Sequence, residues 1–358
     1  MMAKSEIMEL YADYLIAQNK YSTATGLSEL LSEEISHDQV TRFLNGECLD
    51  SKDLWMLVKK DIRSIEEPDD GVLILDDTIG EKPYTKENPI ICWHHSHVRG
   101  CAVKGVSILS CLVRYGDVAL PIGYEIIRKE LFYIDPKTQK QRRKSEITKN
   151  EIFRSLVKTA TENNVKYKYV LADNWFASKE NIKCIALDLK KQFILGIRPN
   201  RTVAMDLEDK INGKFKRIDS LSLRNGIAQQ LYLKGIEFPI QIVKKTFKNE
   251  DGSMGILYLV TNDLELDGSQ ILEIYKKRWR IEEYHKSVKQ NASFEKSPTK
   301  VTKSQANHIF CSILAFCKLE RLKIKTALNH FAIKYKLLVR ANQAAFEELR
   351  KLTSNCVT

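Results

Sequence analysis

"GVLILDDT", Gly71 to Thr78, decides the fold. Four consecutive apolar residues closed by two aspartates describe a strand buried on both faces, because a half-exposed strand would alternate instead. Downstream, "GVSILSCLVRY", the pair Gly116-Asp117 and "VALPIGYEIIRK" read as a hairpin. A basic loop, "PKTQKQRRK", then precedes a helix whose start is marked by Thr148 with Glu151 three residues on, a capping-box spacing. "VKYKYVLADNW" is the next strand, a helix capped by Ser178 follows, and "QFILGI" is a further short strand. Strand, strand, strand, helix, strand, helix, strand is the order of a mixed α/β sheet with helices packed against it.

The flanks differ in texture. Residues 1–68 are helical and end in the acidic "SIEEPDDG". Inside them, "TATGLSELLSEEISHDQVTRFLNG" has the layout of two short helices about a tight turn, the second from Ser36 to Leu44 with Gly46 as its stop. A helix-turn-helix DNA reader would present Gln39, Thr41 and Arg42 to a groove, whereas an ordinary helical hairpin would give them no such task. Residues 69–200 hold the first part of the α/β core. Residues 201–265 alternate apolar and polar around "NG", "RNG" and "EDG" turns and read as a β-rich insertion. Residues 266–302 return to the core with a charged helix, and 303–358 are amphipathic and helical.

The 358 residues carry a formal charge of +11, with the basic residues spread along the whole chain. Spread cationic charge favours a polyanionic partner, nucleic acid before membrane, since an amphipathic membrane segment would gather it in one place. The longest apolar run, "IFCSILAFC", is too short to cross a bilayer, and no signal peptide opens the chain. The eight cysteines include no C-x-x-C pair and read as reduced and structural, which places the protein in the cytoplasm.

Asp76 and Asp173 both close apolar strands, at the carboxyl edge where open α/β sheets place their ligands. Asp77 faces away from Asp76 on an extended strand, so one of the two is the ligand; Asp76 is preferred because Thr78 lies on its side. The third carboxylate is Glu282, in "YKKRWRIEEYHKSVK". On a continuous helix Tyr275, Arg278, Glu282 and Lys289 fall within a stripe about 60° wide. Ile274, Ile281 and Val288, spaced by seven, form an apolar edge beside it. An exposed face of i,i+4 pairs such as Arg278–Glu282 is the plainer reading of that mixture. Together, two strand-end aspartates and a helical glutamate form a hard oxygen set suited to Mg2+, with Mn2+ as its substitute. Two such ions would activate water or a 3′-hydroxyl and stabilise the leaving oxygen of a phosphoryl transfer.

The spacing Y-x2-R-x3-E-x6-K over Tyr275, Arg278, Glu282 and Lys289 resembles the signature of DDE transposases of the insertion-sequence-four type. "LILDDT" resembles the region of that family's first aspartate and "LADNWFAS" that of its second. The resemblance spans about residues 70 to 300. It implies a ribonuclease-H-like fold with a β-rich insertion before the last catalytic helix and helical N- and C-terminal regions. It also implies Asp76, Asp173 and Glu282 as the catalytic triad holding two Mg2+ ions, and Tyr275, Arg278 and Lys289 as DNA-binding residues. The reaction implied is cut-and-paste transposition through a hairpin at the transposon end. Its partners would be double-stranded DNA, as terminal inverted repeats and target, and a second copy of the chain in a homodimeric synaptic complex. The setting implied is the nucleoid, with no membrane. The family's base-stacking tryptophan is absent from the strand before the last motif, "GILYLVTND", where Tyr258 is the aromatic left to stack a base.

Other clusters have plainer explanations. "CWHHSHVRGC" sets His94, His95 and His97 between Cys92 and Cys101, but the spacing fits no common zinc site, and DNA contact or core packing accounts for them better. Trp175 and Phe176 read as core residues, His285 as a packing residue or a support behind the site's ligands, and "KQRRK" as a solvated loop or a backbone-tracking patch. A non-mobile metal-dependent nuclease on the same fold would need the same triad, and a DNA-binding regulator would not.

Overall fold

A computed structural model describes residues 3–96 and 99–355. Four helices open the chain: α1 (Lys4–Ala17), α2 (Ala24–Leu30), α3 (His37–Leu44) and α4 (Ser51–Ile65). Strands β1 (Val72–Glu81), β2 (Cys92–Ser96), β3 (Cys101–Tyr115) and β4 (Val118–Ile126) follow, then a short ribbon of β5 (Leu131–Ile134) and β6 (Gln141–Lys144). Next come α5 (Lys149–Glu162), β7 (Tyr169–Ala172), α6 (Lys179–Lys183) continued by a π-helical turn, and β8 (Gln192–Gly196). The third quarter holds β9 (Thr202–Ala204), α7 (Leu207–Ile211), β10 (Lys216–Arg217), β11 (Ala228–Leu233), β12 (Ile240–Lys248) and β13 (Met254–Thr261). Four helices close it: α8 (Gly268–Lys276), α9 (Trp279–Asn291), α10 (Thr302–Thr326) and α11 (His330–Asn355).

The chain forms two compact units. The larger, Trp55–Thr78 with Ile108–Glu282, is built on a sheet in the order β10, β9, β11, β12, β13, β8, β7, β1, β3, with β4 on β3. β1, β7 and β8 are parallel, in register at Val72↔Tyr169 and Tyr169↔Gln192. Their sequences run apolar without alternation, as burial on both faces requires. β3 and β4 form the expected hairpin through Gly116, whose φ of +52° suits glycine. Thr148 caps α5 with Glu151 reaching back to it, and Ser178 caps α6. The β-rich stretch continues the main sheet, since β13 pairs antiparallel with β8 at Leu259↔Gly196. Mixed α/β layering of this kind, with helical N- and C-terminal regions, is a ribonuclease-H-like architecture.

The smaller unit, Met1–Leu54 with Ile79–Ser107 and Glu283–Thr358, centres on α10. The sequence predicts an amphipathic helix there, yet every residue from Ser304 to Cys317 is buried. A helix covered on all sides tolerates polar groups only where they are bonded, and here Ser304, Asn307, His308 and Ser312 are, whereas the Gln305 side-chain amide finds no partner among the described residues. Asn307 accepts from the Leu49 amide and donates to the carbonyls of Leu44 and Glu47, and Ser304 donates to Asn45. His308 bonds Tyr11 and the Ser293 carbonyl. These bonds fix α1 and α3 onto α10. β2 pairs with the start of β3, so Cys92 and His94 face inward while Trp93 and His95 face out. That alternation is a strand's. Among the described residues, this segment forms no metal-ligand cluster, and His97 lies outside them.

Candidate active site

Asp76 lies on β1 just past the last pairing with β7, at Ile74↔Leu171, and Asp173 is the first residue beyond β7. β1 itself runs on to Glu81, so Asp76 stands within a strand rather than at its end as the sequence predicts. The carboxyl edge belongs to the parallel pair, not to the whole strand. Asp76 and Asp77 diverge: Asp77 Oδ2 meets Lys149 Nζ, the first residue of α5, at 2.6 Å, whereas Asp76 Oδ2 accepts from Arg278 Nη1 at 3.2 Å.

The signature segment is two helices, which the continuous-helix projection does not anticipate. α8 stops at Lys276, and the amides of Lys277, Arg278, Arg280 and Ile281 bond three residues back, a tightened turn that separates it from α9. Arg278 occupies that turn. Its Nη2 donates to Glu282 Oε1 at 3.2 Å while Nη1 reaches Asp76, so one guanidinium bridges two carboxylates carried by different elements. Tyr275 packs against the Arg278 guanidinium, 5.8 Å from its ring centroid, and its hydroxyl donates to the Ala172 carbonyl at 3.4 Å. Lys289 falls in the smaller unit, where Glu295 is 3.7 Å away. His285, further along α9, is buried.

Charge and burial act together here. Burial, then the Asp173 charge, pushes the Asp76 carboxyl up to about 8, with Arg278 pulling the other way and Asp77 and Glu282 adding to the rise. Asp173 is also raised, by burial first, against the Trp175 amide and Arg278. Burial pushes the Tyr275 phenol up to about 12. Carboxyls that resist ionisation beside one another mark a place where added positive charge is stabilised. Ligand oxygens of Asp76 and Glu282 lie within 4.8 Å of one another. The Asp173 charge acts on Asp76 as well, so acidic oxygen donors gather here, of the kind that a divalent cation takes as ligands.

Three residues of this neighbourhood escape sequence reasoning. Lys149 neutralises Asp77 and so leaves Asp76 as the aspartate turned to Arg278. Gly196 lets β8 approach the Asp173 turn: a Cβ there would sit 2.8 Å from the Asn174 amide nitrogen and 3.3 Å from the Asp173 carbonyl carbon. Trp175, expected in the core, is 45% exposed with the Arg198 guanidinium 5.2 Å from its ring centroid. Phe176 alone is core, stacked on Phe153. Tyr258 is buried within β13, in cross-strand register with Lys244, so the ring offers no open face to a base. In the N-terminal region, Ser36 is the cap of α3, whose first helical residue is His37, and the Gln39 side-chain carbonyl is engaged by the Ser36 amide and hydroxyl. That removes Gln39 oxygen from groove reading and leaves Thr41 and Arg42 exposed.

The family described as DDE superfamily endonuclease matches residues 3–211, and that described as transposase DDE domain matches residues 140–317. The first span contains Asp76 and Asp173, the second Asp173 and Glu282. No curated protein matches the chain.

Proposed function

The chain belongs to the DDE superfamily endonucleases, and from that premise we propose that it is a transposase of the insertion-sequence-four type. Asp76, Asp173 and Glu282 are its catalytic carboxylates. The observation that carries this reading is the convergence of Asp76 and Glu282 on Arg278, within reach of the charge on Asp173, from three distant segments. Asp76, Asp173 and Glu282 would hold two Mg2+ ions, with Mn2+ as substitute. Bound there, the ions would polarise the scissile phosphate and make a water or 3′-hydroxyl more acidic.

The protein's own residues supply the rest. Arg278 tethers Asp76 and Glu282, and its planar fork has the shape to take a DNA phosphate in a bidentate contact at the same place. Tyr275 fixes that guanidinium from the side. Lys289 is assigned a second phosphate. Trp175, exposed two residues after Asp173 and backed by Arg198, replaces Tyr258 as the surface on which an extruded base can stack. This supports a hairpin intermediate at the transposon end. Arg42 and its neighbours on α3 are assigned to end recognition, and a homodimer would hold two ends together. Among the described residues no helix is long and apolar enough to cross a membrane.

A nuclease that cuts without joining is the second reading, favoured by the endonuclease description of the longer match. Purified protein with Mg2+, a duplex carrying the inverted repeats that flank the gene, and a target plasmid separates the two. Joined products establish the transposase, and cleavage without joining establishes the nuclease. With Glu282→Gln both reactions should fall by several orders of magnitude, because the site loses a charge needed in the transition state. Full activity of that variant would remove Glu282 from the site.

A further inference from the structure

Among the described residues, the β5–β6 ribbon pairs with no strand outside itself. All four residues of β5, Leu131 to Ile134, are exposed, although every one is large and apolar. A two-stranded ribbon gains little stability alone, and an exposed apolar row needs a use. The opposite strand supplies a clue. Register sets Phe132 against Arg143 and Leu131 against Lys144, so each face of the ribbon carries apolar groups on one strand and cations on the other. Arg143 stacks over Phe132 with its guanidinium 4.3 Å from the ring centroid, and Asp135 ties down Arg142 at 2.9 Å. Among the described residues, no acidic side chain lies within ion-pair distance of Lys140, Arg143 or Lys144. From Arg128 to Lys149 the chain has eight basic and three acidic residues. The cleft between the stem of the ribbon and α5 is where the local glutamates gather, lined by Glu125, Glu130, Glu146 and Glu151, away from Lys140, Arg143 and Lys144, none of which lines it.

We infer that the β5–β6 ribbon is a duplex-DNA clamp separate from the carboxylate site. Its length, about 14 Å for four extended residues, and its two strands suit a major groove, which is about 12 Å wide and admits a β-ribbon. Lys140, Arg143 and Lys144 contact phosphates on the groove walls, while Phe132 and its neighbours pack against sugars and base edges. Charge complementarity selects this partner over a second copy of the chain, whose own ribbon would bring like charges together. The inference rests on the chain acting on DNA.

The test uses the full chain in EDTA with a fluorescent 30-base-pair duplex of mixed sequence, binding being followed by anisotropy across a salt series. Lys140→Ala, Arg143→Ala and Lys144→Ala together should lower the magnitude of the log–log salt slope by about 2.7, the loss of three phosphate contacts. Affinity at physiological salt should fall at least tenfold. In the wild-type protein, the duplex should also protect Lys140 and Lys144 several-fold from acetylation read by mass spectrometry, a measurement that needs no variant to fold. An unchanged slope with no protection overturns the clamp but leaves DNA as substrate. Absence of any salt-dependent binding by the wild type overturns the DNA reading itself. If sedimentation shows a wild-type dimer that the triple variant breaks, with the salt slope intact, the ribbon is a chain–chain contact and the inference fails.

Discussion

Asp76→Asn should make the cation-free protein more stable while abolishing its chemistry. The Asp76 carboxyl is carried from an ordinary 3.8 to about 8, chiefly by burial and by Asp173. Because the folded value lies above the unfolded one, the unfolded chain releases this proton first as pH rises. Stability therefore declines from about pH 4 and stops declining above about pH 8. At about 1.4 kcal/mol per pKa unit the ceiling is about 6 kcal/mol. Relaxation of the site reduces that, and about 3 kcal/mol is a realistic expectation at pH 9. In a unit of some 200 residues this corresponds to a rise in melting temperature of roughly 6–12 °C. Asparagine keeps the shape and cannot ionise, and Arg278 retains Glu282 as partner. Thermal melts of both proteins at pH 9 and pH 4, in EDTA and in Mg2+, test the argument. The Asn variant should melt higher at pH 9, nearly equal at pH 4, and Mg2+ should raise the melting point of the wild type only. A variant that melts lower than wild type at pH 9, or by the same margin at both pH values, would refute the view that Asp76 is a strained carboxylate awaiting a cation.

Three further outcomes follow from the geometry. Gly196→Ala forces the Asp173 turn to move by about half an ångström; cleavage should fall about tenfold with DNA binding unchanged, since small misplacements of reacting groups are costly, and wild-type turnover would show that the turn tolerates the methyl. Asp77→Asn loses only the pairing with Lys149, about 1 kcal/mol at a half-buried site, so cleavage should stay within tenfold of wild type while Asp76→Asn falls by orders of magnitude; the opposite ranking would make Asp77 the ligand. Gln39→Ala should cost about 1 kcal/mol of α3 stability through the lost capping interaction without altering discrimination between end and random DNA in a gel-shift competition, whereas Arg42→Ala should weaken it.

What could be read from the chain beforehand was whatever depends on local sequence. Apolar runs without alternation specified β1, β7 and β8, and Thr148, Ser178 and Ser36 marked helix starts through bonds made within one turn. The break at Lys277–Arg278 contains neither glycine nor proline, and nothing local announces it. It lies where one arginine spans carboxylates from two elements, a tertiary circumstance. Tyr258 is buried and Trp175 exposed, the reverse of what the sequence suggests, for a related reason: an aromatic residue's exposure is settled by its neighbours in space, β12 and β8 for the one and an open turn for the other. The enclosure of α10 depends on partners at the far end of the chain, and an amphipathic pattern cannot report helices on its polar side.

The distance in sequence between Asp76, Asp173 and Glu282 has a consequence for how the protein is made. A ribosome emits the chain from its N-terminus at about 5–20 residues per second, so α3 and both aspartates leave it well before the glutamate. During that interval the proposed triad lacks its third carboxylate, and α10, onto which α1 and α3 are fixed, has not been made either. A product truncated before Trp279 would lack both the glutamate and the centre of the smaller unit. On the proposed reading, synthesis order acts as a safety catch, released only by the last third of the chain.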